Sequence, residues 1–188
     1  LYTDIEKITK KLNVGNTINK DFSNKDLVYF DVSKSAPGLR GLKMQMVLNE
    51  VWQYSSASQE NDLLYIDNAK YLLSGSDQSI SSLEKMFAHS RHYDLGISLS
   101  MIPDKNILNS APMKGIVMNC DYLRLHRLRS NANVATSILN LSQNQLSYLK
   151  NANVGAKSNN AEVLFSDPNG GYSSEKIKTS DEFLSRIH

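Results

Sequence analysis

Apolar side chains recur along this chain in two rhythms, short continuous runs and then stretches repeating every three to four positions, and the alternation predicts strands interleaved with helices. Lys25 to Val32 (KDLVYFDV) is β-branched and aromatic with a polar entry, which predicts a buried strand, and Ser33 to Gly38 turns the chain. Gly41 to Tyr54 follows as a helix with Leu42, Met46, Val47, Val51 and Trp52 on one apolar face. Leu63 to Ile66 is a second short strand ending in Asp67, and Ser79 to His92 is a helix with Ile80, Leu83, Met86 and Phe87 inward. Leu95 to Met101 makes a third strand, Gly115 to Asn119 a fourth, and Tyr122 to Leu128 alternates as a half-exposed strand does.

Strands that alternate with helices argue an α/β fold, with a mostly parallel sheet flanked by helices on both faces. The remainder changes character. Asn131 to Leu139 and Ser142 to Asn151 read as short helices, Ala161 to Phe165 and Ser173 to Thr179 as a C-terminal β-hairpin across DPNGG, and Asp181 to Ile187 as a final helix. Leu1 to Asn13 reads as a helix already under way, with Ile5, Ile8 and Leu12 on one face. Residues 1–20 are therefore expected to be the end of a preceding helical region, and the chain to be cut from something longer.

At 188 residues and 40% hydrophobic content, one core and a single domain over 1–188 are expected. A net charge of +2 is far from the dense basic stripe of a dedicated nucleic-acid binder, so DNA as a partner is possible but not supported by charge. The lone cysteine, Cys120, excludes an internal disulfide and a multi-cysteine metal site. No apolar run reaches the roughly 20 residues of a membrane span and no signal peptide is legible, so a soluble chain is expected.

The sharpest chemical pattern is LLYIDNAKYLL, Leu63 to Leu73, in which an apolar strand delivers an acid at its C-terminal end. Ligands of open parallel sheets bind at such ends, and a hard cation such as Mg²⁺ wants oxygen ligands there. A strand-terminal Asp is also a common cap or turn former. His89 and His92, spaced three apart, lack a third ligand nearby. No G-x-S-x-G elbow supports a hydrolase triad.

The order of these blocks resembles the TraC-type ATPases of conjugation and type IV secretion, within the HerA/FtsK group of RecA-like motors. KDLVYFDVSK is similar to a family segment close to "vvfDls", IDNAKYLL to the Walker B stretch "DEAwxLL", and HSRHYDLGISLSMI to the block "aRKxxxgxxxxTQ". LNLSQNQLSYLKNANVG is similar to the family ending "Ls..q...l..l..G". The likeness runs from about Gly15 to Thr179 and lies in the order of blocks.

That resemblance implies the C-terminal half of a RecA-like P-loop NTPase core, whose parent binds ATP and Mg²⁺ and works as a homo-oligomeric ring with other secretion-machine subunits. A cytoplasmic location, or one peripheral at the inner face of the membrane, goes with it. Asp67 is implied as the Mg²⁺-side acid, Asp31 as a strand-end residue near the nucleotide, and Arg91 as an arginine reaching a neighbouring subunit's phosphates. Arg124, with Arg127 and Arg129, is a further phosphate-facing candidate.

The departures matter as much. The phosphate-cradling G-x-x-x-x-G-K-S/T loop is absent from the sequence. Asn68 stands where the family has a Glu that activates the attacking water, and an amide cannot take that proton. Met101 stands where a Gln senses the γ-phosphate. The fragment is thus expected not to hydrolyse ATP by itself. Two alternatives stay open: a non-catalytic degenerate RecA-fold assembly module, and a DNA translocase of the same group. The loops Pro37 to Lys43 and Pro103 to Pro112 carry only Arg40, Lys43 and Lys105 for the latter.

Overall fold

The computed structural model describes residues 26–58, 60–74, 77–102, 104–128, 132–155, 160–169 and 171–178. The chain divides into two compact units, Leu1–Ile102 and Pro103–His188. The helices expected at residues 1–13 and 181–187 lie outside the described residues.

In the first unit, helix α1 (Pro37–Ala57) leads to strand β1 (Asp62–Ile66) and the single-turn helix α2 (Lys70–Leu73). Helix α3 (Asp77–His89), a 3-10 turn (Ser90–Tyr93) and strand β2 (Leu95–Leu99) complete it. β1 and β2 pair in parallel, Asp62 opposite Leu95 and Ile66 opposite Leu99. A parallel pair cannot be closed by a hairpin, and α2 with α3 supplies the required crossover. The expected inward face of α3 is the one observed: Ile80, Leu83, Met86 and Phe87 are all buried. Each such side chain contributes about 2 kcal/mol of hydrophobic stabilisation.

Helix α1 starts at Pro37, where the missing N–H leaves no helical bond unmade. Its buried positions are Leu48 and Ser55, seven apart, whereas Leu42, expected inside, is 45% exposed. The Ser55 hydroxyl donates to Asp62 Oδ2 at 2.8 Å and ties the end of α1 to the start of β1. Trp52 meets Tyr93 edge to face at 5.1 Å.

The strand expected over residues 25–32 is corrected by the structure. Residues 26–32 belong to no strand, and Leu27 and Tyr29 are 87% and 85% exposed. A β-branched, aromatic run becomes a strand only where a neighbour takes its backbone groups. Among the described residues β1 pairs with β2 alone. The segment ends in a turn in which the Ser35 N–H reaches the Val32 carbonyl at 3.1 Å.

The second unit runs α4 (Lys105–Asn109), α5 (Ala111–Met118), β3 (Leu123–Leu125), α6 (Ala132–Leu139), α7 (Gln143–Asn151), β4 (Asn160–Ser166) and β5 (Tyr172–Lys178). The strand expected at residues 115–119 is the end of helix α5. A five-residue apolar run does not distinguish the two, and the caps decide. Ser110 accepts from the Met113 N–H at 3.3 Å, a proline sits in the first turn, and Asn119 Nδ2 donates to the Gly115 carbonyl at 2.8 Å.

β3, β4 and β5 form an antiparallel sheet in that order. The mostly parallel sheet is therefore a second correction: among the described strands, two pair in parallel and three antiparallel. The half-exposed strand expected at residues 122–128 shortens to β3 and joins the antiparallel set. The hairpin is observed as expected, its turn closed by Asp167, whose Oδ1 accepts from the N–H groups of Asn169 at 2.8 Å and Gly171 at 3.3 Å. A capping box, Ser142 with Gln145, starts α7. Leu141, Leu149 and Leu164 form the buried cluster beneath the sheet, flanked by Leu125, Leu139, Tyr148 and Tyr172.

Candidate functional site

β1 ends at Ile66, so the next residue, Asp67, projects from the C-terminal end of a parallel pair. Its partner strand ends at Leu99, opposite Ile66, and Ser100 follows. The ladder continues past both ends. The Ser100 N–H donates to the Ile66 carbonyl at 2.9 Å, and the Ala69 N–H donates to the Ser100 carbonyl at 3.0 Å. Two bonds to fully fixed backbone hold Ser100 beside the turn, and its hydroxyl donates to Asp67 Oδ1 at 2.6 Å. The Asn68 N–H donates to the same oxygen at 2.9 Å.

Asp67 Oδ1 thus accepts two bonds, while Oδ2 has no hydrogen-bond partner among the described residues. The turn itself is unusual: Asn68 has φ of 50°, left-handed, a region that asparagine tolerates better than most residues. Ala69 and Leu72, directly after it, are fully buried and pin the turn from beneath.

The other sequence-derived candidates fall in different places. Met101 follows Ser100 and is half-buried, so Asp67, Asn68 and Met101 do share one end of the sheet. Asp31 is exposed in the turn before α1, where its Oδ1 accepts from the Ser33 N–H at 2.8 Å. Hydrogen bonds from the Ser33 hydroxyl and N–H, with Lys34 nearby, hold its carboxyl below the ordinary value. Arg40 connects that turn to helix α2. Its guanidinium donates to the carbonyls of Ser33 at 2.8 Å and Ser35 at 3.2 Å and to the Tyr71 hydroxyl at 3.2 Å, while lying 5.2 Å from the Tyr71 ring centre.

Arg91 is exposed in the 3-10 turn that precedes β2. β2 runs from that turn toward Ser100, so Arg91 stands at the opposite end from Asp67 of a five-residue strand that spans roughly 16 Å at about 3.3 Å per residue. Within one chain the two do not form a site. Arg124 belongs to the second unit, exposed on β3, where its guanidinium lies 6.0 Å from the Phe165 ring centre. Tyr122 stacks on the same ring at 5.7 Å. Arg129 lies outside the described residues.

Sequence reasoning singled out neither Ser100 nor Arg40 for the site. The parallel register carries the missing signal for the first: if Asp67 ends one strand, the residue ending its neighbour stands beside it, and a hydroxyl there is a donor for the carboxylate.

The chemistry of the donor set fits Mg²⁺ in one way. No group of three or more His, Cys, Asp or Glu among the described residues is placed to hold a metal. A single carboxylate suits Mg²⁺ when waters and substrate phosphates complete the octahedron, which is that ion's usual mode at nucleotide sites. An open cleft of about 530 Å³ in the second unit is lined by Leu123, Ile138, Leu139, Gln145 and Tyr172 among others. Its one ionisable side chain is Tyr172, which burial pushes up and whose hydroxyl donates to the Leu139 carbonyl at 3.2 Å, so the cleft offers no acid–base pair.

No protein-family model matches the sequence, and neither does any curated protein. Among solved structures, the fold is similar to VirB4 of Thermoanaerobacter pseudethanolicus, with a TM-score of 0.68 and 19% identity over 82% of this chain. The match spans 42% of the VirB4 chain, so this sequence corresponds in fold to less than half of that protein.

Proposed function

We propose that this chain is part of an ATP-binding motor subunit of a type IV secretion or conjugation-type machine, and that it forms the Mg²⁺-facing half of the nucleotide site. The observation that carries the reading is Asp67, held at the C-terminal end of a parallel strand pair in a fold similar to VirB4. That is where α/β folds bind phosphate ligands and their cations.

In this reading Asp67 presents Oδ2 toward the metal's water shell, while Ser100 and the Asn68 N–H keep Oδ1. Mg²⁺, if held there by Asp67, would supply neutralisation of charge on the phosphate oxygens. The phosphate-cradling loop is absent from this sequence, so the residues present account only for the cation-facing side. Asn68 lacks the carboxylate needed to take a proton from water, and Met101 is a weak hydrogen-bond partner for a γ-phosphate, so the chain by itself does not turn ATP over. Asp31 orders the turn that Arg40 links to Tyr71, a supporting rather than a ligand role. Arg91 serves a neighbouring subunit's nucleotide in a homo-oligomeric ring, because its own Asp67 lies at the far end of β2. Arg124, stacked on Phe165, serves as a surface arginine of the second unit. The location proposed is the cytoplasm or the inner face of the membrane, and among the described residues no helix is long and apolar enough to cross one.

A second reading, a degenerate RecA-fold assembly module without nucleotide, is favoured by the same Asn68 and Met101. DNA translocation finds less support: Arg40, Lys43 and Lys105, expected in loops, lie in helices α1 and α4, and Arg40 is engaged with Ser33, Ser35 and Tyr71. Calorimetric titration of Mg²⁺·ATP into the full-length subunit separates the readings. Binding that is lost in Asp67→Ala supports the motor; absence of binding in both proteins leaves the assembly module.

A further inference from the structure

We infer that Ser100 is a positioning residue for the cation at Asp67: its hydroxyl fixes the carboxylate rotamer, so that Oδ1 is spent on the protein and Oδ2 alone is offered to Mg²⁺. The inference rests on the nucleotide-site reading of Asp67 and deepens it.

Three features of the geometry carry it. The first is the bond itself, 2.6 Å from Ser100 Oγ to Asp67 Oδ1, a length within the range of a charge-assisted O–H···O⁻ bond. Second, the donor cannot drift, because the Ser100 backbone is bonded on both sides, to the Ile66 carbonyl and the Ala69 N–H. Third, the same oxygen takes the Asn68 N–H at 2.9 Å from a left-handed turn, so two donors converge on one carboxylate oxygen from two directions. A freely rotating exposed aspartate presents either oxygen to a cation and loses entropy when it binds. One whose rotamer is already set loses less, which is how hydrogen-bonded outer partners tune metal ligands.

The hydroxyl is also separable from the fold. Ser100→Ala leaves both backbone bonds in place, since they use the N–H and carbonyl, and removes only the donor to Asp67. Ser100→Thr keeps the donor on the same backbone.

The test is the Mg²⁺ concentration that half-saturates binding of a fluorescent ATP analogue to the full-length subunit, with nucleotide affinity in EDTA as the companion readout. Ser100→Ala is expected to raise the Mg²⁺ half-saturation point about 10-fold, the order seen when an outer hydrogen-bond partner of a metal ligand is lost. Affinity in EDTA and thermal midpoint should stay near wild type, and Ser100→Thr should restore Mg²⁺ dependence. An unchanged half-saturation point in Ser100→Ala, with Asp67→Ala still abolishing Mg²⁺ dependence, overturns the positioning role and leaves the site reading intact. If Asp67→Ala leaves Mg²⁺ dependence unchanged, or no protein binds the analogue, the site reading fails and the role of Ser100 fails with it. A purely structural Ser100 would lower the thermal midpoint and EDTA affinity together, which also overturns the inference.

Discussion

Gly41, in the second turn of helix α1, lies against the backbone carbonyl of Tyr71 with no room between them for a methyl group. Helix α1 and helix α2 therefore touch backbone to backbone, and the glycine is required by space rather than by its own dihedral angles. The Arg40 side chain, one residue earlier, clasps the same tyrosine through its hydroxyl and ring.

Gly41→Ala is expected to destabilise the protein by about 1–3 kcal/mol, the usual range for overpacking against fixed atoms. Gly38, three residues earlier in the same helix, has nothing within 4 Å of an added Cβ. Gly38→Ala is therefore expected to stabilise by about 0.5–1 kcal/mol through helix propensity. Urea unfolding of the two variants checks the pair. Equal effects of one sign would contradict the close approach.

Asn68 occupies a left-handed conformation, which sets what can replace it. Asn68→Gly should leave stability within about 0.5 kcal/mol of wild type, whereas Asn68→Val, β-branched, should cost about 1–2 kcal/mol. Asn68→Glu restores a proton acceptor beside Asp67. In the full-length subunit it is expected to raise ATP turnover by at least about 10²-fold, the lower range for a general base. A wild-type rate that Asn68→Glu fails to increase would show that the missing carboxylate at this position does not limit turnover.

Burial first, and then the charge of neighbouring Asp121, push the Cys120 thiol up from 9.0 to about 11. Its Sγ also lies 3.2 Å from the Ile116 carbonyl as a donor. The folded-state value is the higher one, so the thiol's contribution to stability is complete below pH 9 and fades as pH rises toward 11. At pH 8, alkylation by iodoacetamide in the folded protein is expected to run roughly 100-fold slower than in urea, following the thiolate fraction. Equal rates in the two states would show an accessible, ordinary thiol.

How much of this was legible in the sequence follows from the reach of each interaction. Helix α3 was readable in detail because its period of 3.6 is local, and Ile80, Leu83, Met86 and Phe87 are buried as that period requires. The hairpin was readable from Asp167 to Gly171 for the same reason. Residues 26–32 and 115–119 were not, since each is a short apolar run whose fate depends on something distant or on caps. The first belongs to neither described sheet, and the second is claimed by Ser110 and Asn119. At the site, Asp67 was visible as an acid ending an apolar run. Ser100 became visible only with the register of β1 against β2, which pairs residues 33 apart in sequence. Arg91 was placed by its neighbours in sequence, and only the strand direction shows it at the far end of β2.

The most direct test of the account is a crystal structure of the full-length subunit with Mg²⁺ and a non-hydrolysable ATP analogue. The expected result is Mg²⁺ on the Oδ2 side of Asp67, directly or through one water, with Ser100 still bonded to Oδ1 and the β- and γ-phosphates at the C-terminal ends of β1 and β2. Nucleotide bound elsewhere, or a metal whose coordination does not involve Asp67 even through water, would contradict it.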